Sequence, residues 1–242
     1  DAWGGSLENR ARIHLEIIKK CREEVGNDFA ISIKMNSADF QKGGFSPEDS
    51  IQVAKLFSDS GIDNIEISGG TYEQPRLLGL DKVSINPKRS ENRKESTIAR
   101  EAYFLSYAEE IAKVVNIPLM VTGGFRTKEG MEAALRDGAC EIVGVGRPLC
   151  ANPYAIKELL SGQIDELPKY EKTLSIGPWW LSPTSPFRLI QAINAFSAQA
   201  WFYQQIKKMG KGLMPDLNLK PWKAFREDAK ADQEAIKEYQ NF

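Results

Sequence analysis

The 242-residue sequence predicts an α/β protein built on a parallel sheet, with about four strand–helix units followed by helices alone. Three observations lead there. Short apolar strands alternate with amphipathic helical stretches up to about residue 150, and each interval between strands holds a helix with two loops, as a parallel crossover requires. Beyond about residue 165 the alternation stops and no further strand pattern appears. A complete (β/α)8 barrel takes about 250 residues, so the length fits a whole barrel while the strand number fits half of one.

Each element has its own signal. Ser6 follows Gly4-Gly5 and precedes Leu7, Ile13, Leu15, Ile17 and Ile18, which makes it the N-cap of a helix ending near Gly26. Residues 29–35 alternate as a strand. Ser46-Pro47-Glu48 opens a second helix, with Pro in its first turn and apolar residues at Ile51, Ala54, Leu56 and Phe57, ending at Gly61. Residues 64–68 form a second strand that ends in Gly69-Gly70. A polar stretch, 71–96, leads into a helix over about 97–115 and a strand over 117–121. A helix over 127–137 and a strand over 141–145 complete the fourth unit. Residues 186–208 read as a helix with Leu189, Ile193, Phe196 and Ala200 on one face, and 221–240 as a charged, more exposed one. The expected division is 1–165 for the sheet-containing part and 166–242 for a helical extension packed on it.

Composition narrows the function classes. The hydrophobic share of 42% suits a buried core, and 32 basic against 33 acidic side chains leave no overall field to recruit nucleic acid or an anionic membrane. Any anion site must be local. Cys21, Cys140 and Cys150 are odd in number, widely spaced and free of CxxC or Cys/His clustering, so neither a disulfide framework nor a metal site is expected, and a reduced, cytoplasmic setting is. No apolar run approaches the ~20 residues of a membrane span. The chain opens at Asp1 without an initiator Met, as if within a longer protein.

Chemistry concentrates in VTGGFRTKEGMEAALRDGACEIVGVGRPL, residues 121–149. Two neighbouring strands end in glycine turns, Gly123-Gly124 and Gly144-Val145-Gly146, each followed by a basic residue. Glycines there leave backbone N–H groups bare, and the next helix N-terminus adds partial positive charge, a combination that cradles phosphate. In parallel barrels the phosphate site lies between the last two strand-to-helix loops. Arg147 can add a bidentate contact, and Arg126 sits similarly after Phe125. The alternative is that these glycines only permit tight turns and the arginines are solvated.

Three stretches together carry a resemblance. The opening DAWGGSLENRAR resembles the D-x-Y/W-G-G-S-x-x-N-R-x-R motif of the old yellow enzyme family of FMN-dependent NAD(P)H oxidoreductases. Residues 117–125, IPLMVTGGF, and 143–149, VGVGRPL, resemble that family's FMN-phosphate loops on barrel strands seven and eight. The similarity runs from residue 1 to about 155 in the family's order and spacing. It implies a (β/α)8 barrel of which this chain holds strands five to eight. It also implies FMN as cofactor, NAD(P)H as co-substrate, and hydride delivery to an electron-poor alkene. Gly123, Gly124, Phe125, Gly144, Gly146 and Arg147 are implied as cofactor-binding, and Lys34 as the strand-five cation that stabilises reduced flavin at N1 and O2. The family's proton donor and its carbonyl-binding pair belong to the half before residue 1, so the expected partners are a small-molecule substrate and either that half-barrel or a second copy of this chain. A half-barrel is expected to be inactive alone.

Other readings stay open. Lys34 could instead close an ordinary ion pair with Glu66 on the next strand. His14, beside Ile13 and Leu15 on a helix, reads as structural or superficial. Tyr72 could border substrate or only pack, and the mixed-charge segment 87–96 reads as a mobile, solvated loop in preference to a lid or a reader of the nicotinamide-cofactor phosphate. The aromatic residues Trp179, Trp180, Phe187, Phe196, Trp201, Phe202 and Tyr203 read as core or subunit packing, since the basic face of a membrane-surface helix is missing. A non-catalytic phosphate-binding or self-associating half-barrel is the rival function. An unrelated phosphosugar barrel enzyme would share the tandem glycine turns but leave the opening motif unexplained.

Overall fold

The computed structural model describes residues 2–39, 43–69 and 104–240, and its contacts divide the chain into two compact units. The first runs to Val145 and the second from Gly146 to the C-terminus, apart from a short stretch outside the described residues.

The first unit contains α1 (Leu7–Val25), β1 (Ser32–Asn36), α2 (Pro47–Asp59), β2 (Asn64–Ser68), α3 (Leu105–Ile111), β3 (Leu119–Thr122), α4 (Lys128–Arg136) and β4 (Ile142–Gly144). All four strands are parallel and lie in chain order, β1-β2-β3-β4. Sequential order with a helix in each crossover is the arrangement of half a (β/α)8 barrel. The caps at Ser6 and Ser46 fall where the sequence places them, and Thr127 is a third. The Ser6, Ser46 and Thr127 side chains accept from the backbone N–H of Asn9, Asp49 and Gly130, and Pro47 occupies the first turn of α2.

Period-two alternation sets the layers. On one face, Met35, Ile65, Ile67, Leu119 and Val121 are buried against Ala11 and Ile18 of α1, Val53, Ala54 and Phe57 of α2, Ala108 and Ile111 of α3 and Ala134 of α4. Opposite them, Ser32, Lys34 and Asn36 of β1 align with Asn64, Glu66 and Ser68 of β2. That face, the interior of a barrel, is polar. The expected helix over 97–115 is described only from Leu105; β2 covers the expected 64–68, β4 starts one residue later than expected, and β1 and β3 start three and two residues later, because pairing rather than hydropathy sets their ends.

The N-terminal ends of β1 and β2 are tied by a latch. Arg22 donates to the carbonyls of Gly26, Phe29 and Gly61 and to Asp63, whose carboxylate also accepts from the Ile31 amide. The backbone hydrogen bond and then Arg22 hold the Asp63 carboxyl below its ordinary range.

The second unit holds α5 (Arg147–Ala151), α6 (Ala155–Leu160), α7 (Arg188–Gly210) and α8 (Pro221–Gln240), with 3-10 turns at Tyr170–Lys172 and Trp179–Leu181. Its core gathers Ala151, Leu174, Ala200, Trp201, Phe202 and Ala224. The expected apolar face of α7 is corrected in part: Ala200 is buried as expected and Ile193 half-buried, but the other two positions are not. Leu189 and Phe196 are 71% and 59% exposed, while Asn194, Ser197 and Gln205 are buried. Hydrogen bonding explains the burial of Asn194 and Gln205. Asn194 accepts from the Ile176 amide and donates to the Leu181 and Ile190 carbonyls, and Gln205 pairs with both backbone groups of Asp216. These side chains satisfy loop backbone that would otherwise be buried unpaired. Trp201 is buried and donates to the Leu219 carbonyl, whereas Trp179 and Trp180 are exposed.

Candidate functional site

The polar face of the sheet and the loops at the strand C-termini form the candidate site, as ligand positions in parallel α/β folds do. Lys34 projects from the middle of β1 on that face. Register pairs it with Glu66, and its ammonium lies 2.5 Å from Glu66 Oε1. Burial pushes the Glu66 carboxyl up, but the hydrogen-bonded Lys34 ammonium outweighs it and leaves the group below the ordinary carboxylate range. The ion pair expected as the alternative reading of Lys34 is therefore present, on the polar face of the sheet.

The β1 loop is closed by Asp39. Its carboxylate accepts from the Asn36 side chain and the Phe45 amide, and its own amide donates to the Phe45 carbonyl. Ser37 N–H donates to the Ser68 carbonyl, extending the β1–β2 ladder past the strand end. A Cβ at Gly69 would approach Phe104 Cε1 to 2.6 Å and Ser37 Oγ to 3.0 Å, so only glycine lets that loop lie against its neighbours. Sequence reasoning missed Asp39 and Thr122. The signal for Thr122 was present, since it shares the inward parity of Met120 on β3.

At the end of β3, Gly123 and Gly124 have φ of 135° and 90°, a backbone that side-chain-bearing residues rarely adopt. The turn leads directly toward α4, a glycine turn before a helix N-terminus being an arrangement that suits an anion. Two expectations for this loop change. Phe125 is fully buried in the helix-side core, so its ring serves packing and only its backbone is available to a ligand. Arg126 is also buried, and its Nη1 donates to the Phe125 carbonyl, bracing the turn.

Gly144 and Gly146 have different requirements. A Cβ at Gly144 would fall 1.8 Å from Thr122 Oγ1 and 2.8 Å from Met120 Cε, so glycine there clears the side chains of β3. A Cβ at Gly146 would meet open space. In the second unit, Gly146 caps α5 and Arg147 begins it, with Arg147 Nη1 3.6 Å from Glu171.

Other candidates recede. His14 stacks obliquely on Phe57 at 6.0 Å and, with Arg10, Lys34 and Asn36, lines a 410 Å³ cavity beside β1. Burial, with Glu141 beside it, pushes the Cys140 thiol up to about 11, and burial raises that of Cys150, so neither is poised as a thiolate nucleophile. Tyr72 and the segment 87–96 lie outside the described residues. Among the described residues no helix is long and apolar enough to cross a membrane.

Comparison with known proteins identifies the family of the chain. The family described as NADH:flavin oxidoreductase / NADH oxidase matches residues 1–166. An NADH-dependent flavin oxidoreductase of Hypocrea jecorina (iliE) is 40% identical over 165 residues, covering 66% of this chain and 38% of that protein. One of Talaromyces variabilis (iccE) is 33% identical over 215 residues, covering 87% and 49%. An NADH oxidase of Thermoanaerobacter brockii is 33% identical over 209 residues, covering 86% and 30%. Among solved structures, a 2-naphthoyl-CoA reductase in complex with 2-naphthoyl-CoA superposes with a TM-score of 0.55 at 30% identity, over 69% of this chain and 24% of that one. The chain thus spans half or less of the length of these relatives.

Proposed function

Because the chain belongs to the NADH:flavin oxidoreductase / NADH oxidase family, whose cofactors are FMN and NAD(P)H, we propose that it is the C-terminal, FMN-phosphate-binding half of an ene-reductase-like oxidoreductase. Its substrates would be small, electron-poor alkenes. The observation that carries this reading is Lys34, an inward cation on the polar face of a parallel sheet whose third strand ends in a positive-φ Gly-Gly turn.

The residues fit the cofactor. Amides at Gly123, Gly124 and Gly146, with the Arg147 guanidinium, are assigned to the phosphate residue by residue from the motifs they match. Lys34 is assigned to the N1/O2 edge of the ring. When bound, FMN supplies hydride transfer between the nicotinamide and the alkene. The chain's own contribution is placement and charge. Gly123 and Gly124 offer donors without side chains in the way, Gly144 keeps the loop close to β3, and Lys34 places positive charge where reduction would develop negative charge. The proton donor and substrate-carbonyl ligands are assigned to the part of the barrel outside this sequence, so the chain alone is expected to be inactive.

The visible spectrum of the purified chain tests this. Flavin absorption near one FMN per chain is expected after reconstitution, and a colourless protein that still binds inorganic phosphate would leave the non-catalytic reading. One observation favours that second reading: among the described strands β1 and β4 each have one unpaired edge, the feature through which a half-barrel self-associates.

A further inference from the structure

We propose that Glu66 is a positioning residue for Lys34: it fixes the ammonium on the ligand face and partly offsets its charge, so that the pair, rather than the lysine alone, sets how strongly reduced FMN is preferred over oxidised FMN. The inference rests on the assignment of Lys34 to the flavin given above.

Three features of the first unit lead to it. The two residues are direct register partners on adjacent parallel strands, so both side chains leave the sheet on the same face at the same height. The acid is the held member. Glu66 is 19% exposed and its carboxylate receives the Lys34 ammonium, while Lys34 is 55% exposed. The pair also differs from ion pairs such as Lys20–Glu23, Lys55–Asp59 and Lys128–Glu132, which are sequence-local, solvent-facing and carry no positional information.

A lysine on four methylenes is a mobile point charge, unlike a planar guanidinium. A cation meant to meet the edge of a ring needs its position set by something stiffer, and a half-buried carboxylate on the next strand does that. The same carboxylate has a second effect. Reduction places negative charge near N1, so Glu66 opposes what Lys34 favours, and its removal should tilt binding toward the reduced cofactor.

The test is the midpoint potential of FMN bound to the full chain at pH 7, compared with free FMN. Glu66→Gln keeps a hydrogen-bonding group of the same size and removes the charge. It is expected to raise the preference for reduced over oxidised FMN about tenfold, ~30 mV for a two-electron couple. Glu66→Asp keeps the charge one methylene further from Lys34 and should shift the potential in the same direction by less. Lys34→Met should move it the opposite way. Glu23→Gln makes the same charge change on the outer surface of α1 and should leave it unmoved.

If Lys34→Met lowers the potential while both Glu66 variants match Glu23→Gln, the role of Glu66 is overturned and the flavin assignment of Lys34 stands. If Lys34→Met has no effect, or the chain takes up no FMN, the flavin assignment falls and this inference falls with it. Should Glu66→Gln fail to fold, an unchanged potential in Glu66→Asp is enough to overturn the proposal.

Discussion

A single glycine decides whether the β3 loop can present bare amides. Gly124 sits at φ 90°, where a Cβ is strained whatever space surrounds it. Gly124→Ala is therefore expected to weaken FMN binding at least tenfold, read by fluorescence titration of the chain with FMN, and to lower stability by about 1 kcal/mol. Gly144→Ala separates packing from binding. Its Cβ would overlap Thr122 Oγ1, so this variant should lose stability by about 1–3 kcal/mol, seen as an earlier circular-dichroism melt, through overpacking against β3. Both glycines were legible in the sequence as turn formers. Their difference was not, because it depends on which side chain of the adjacent strand occupies the space. The same limit applies to Phe125 and Arg126, whose positions beside the Gly-Gly turn suggest a ligand and whose burial assigns them to the turn's own support.

Elements were readable wherever a local signal fixes them. Ser6, Ser46 and Thr127 mark helix starts because capping is a contact over three residues. What joins the elements was hidden, and the Arg22 latch is the clearest case, since its partners lie up to 41 residues away. Arg22→Ala should destabilise the first unit by about 1.5–3 kcal/mol through lost charge-assisted hydrogen bonds, measured as a lower urea midpoint by circular dichroism. Asp63 adds a pH signature. Its folded-state pKa is depressed, so its stabilisation is present above the ordinary carboxylate range and is lost as pH falls through the depressed value. Asp63→Asn should therefore flatten the acid limb of the urea midpoint between about pH 5 and pH 2. The face of α7 failed for a related reason. Hydropathy scores Asn194 and Gln205 as outward, yet each is the hydrogen-bonding partner of a loop that folds over the helix.

For the molecule as a whole, parallel pairing in chain order makes protection uneven. β2 and β3 are paired on both sides and carry the fully buried Ile65, Ile67, Leu119 and Val121. Amide exchange followed by mass spectrometry should be slowest there and faster in β1 and β4, each with a single described neighbour. Rates in β1 as slow as those in β2 would show that its outer edge is covered in solution. The βα rhythm and the polar–apolar alternation of the strands were legible from hydropathy alone, because a half-buried sheet writes its two faces into successive residues.

The burial of Trp201 has a practical consequence for anyone watching this protein by its intrinsic emission. Of the five indoles, Trp3, Trp179, Trp180 and Trp222 already face solvent, so their light should be red-shifted and quenched by acrylamide before any denaturant is added. Only Trp201 has a blue-shifted spectrum to lose, and the core it reports on is that of the helical second unit.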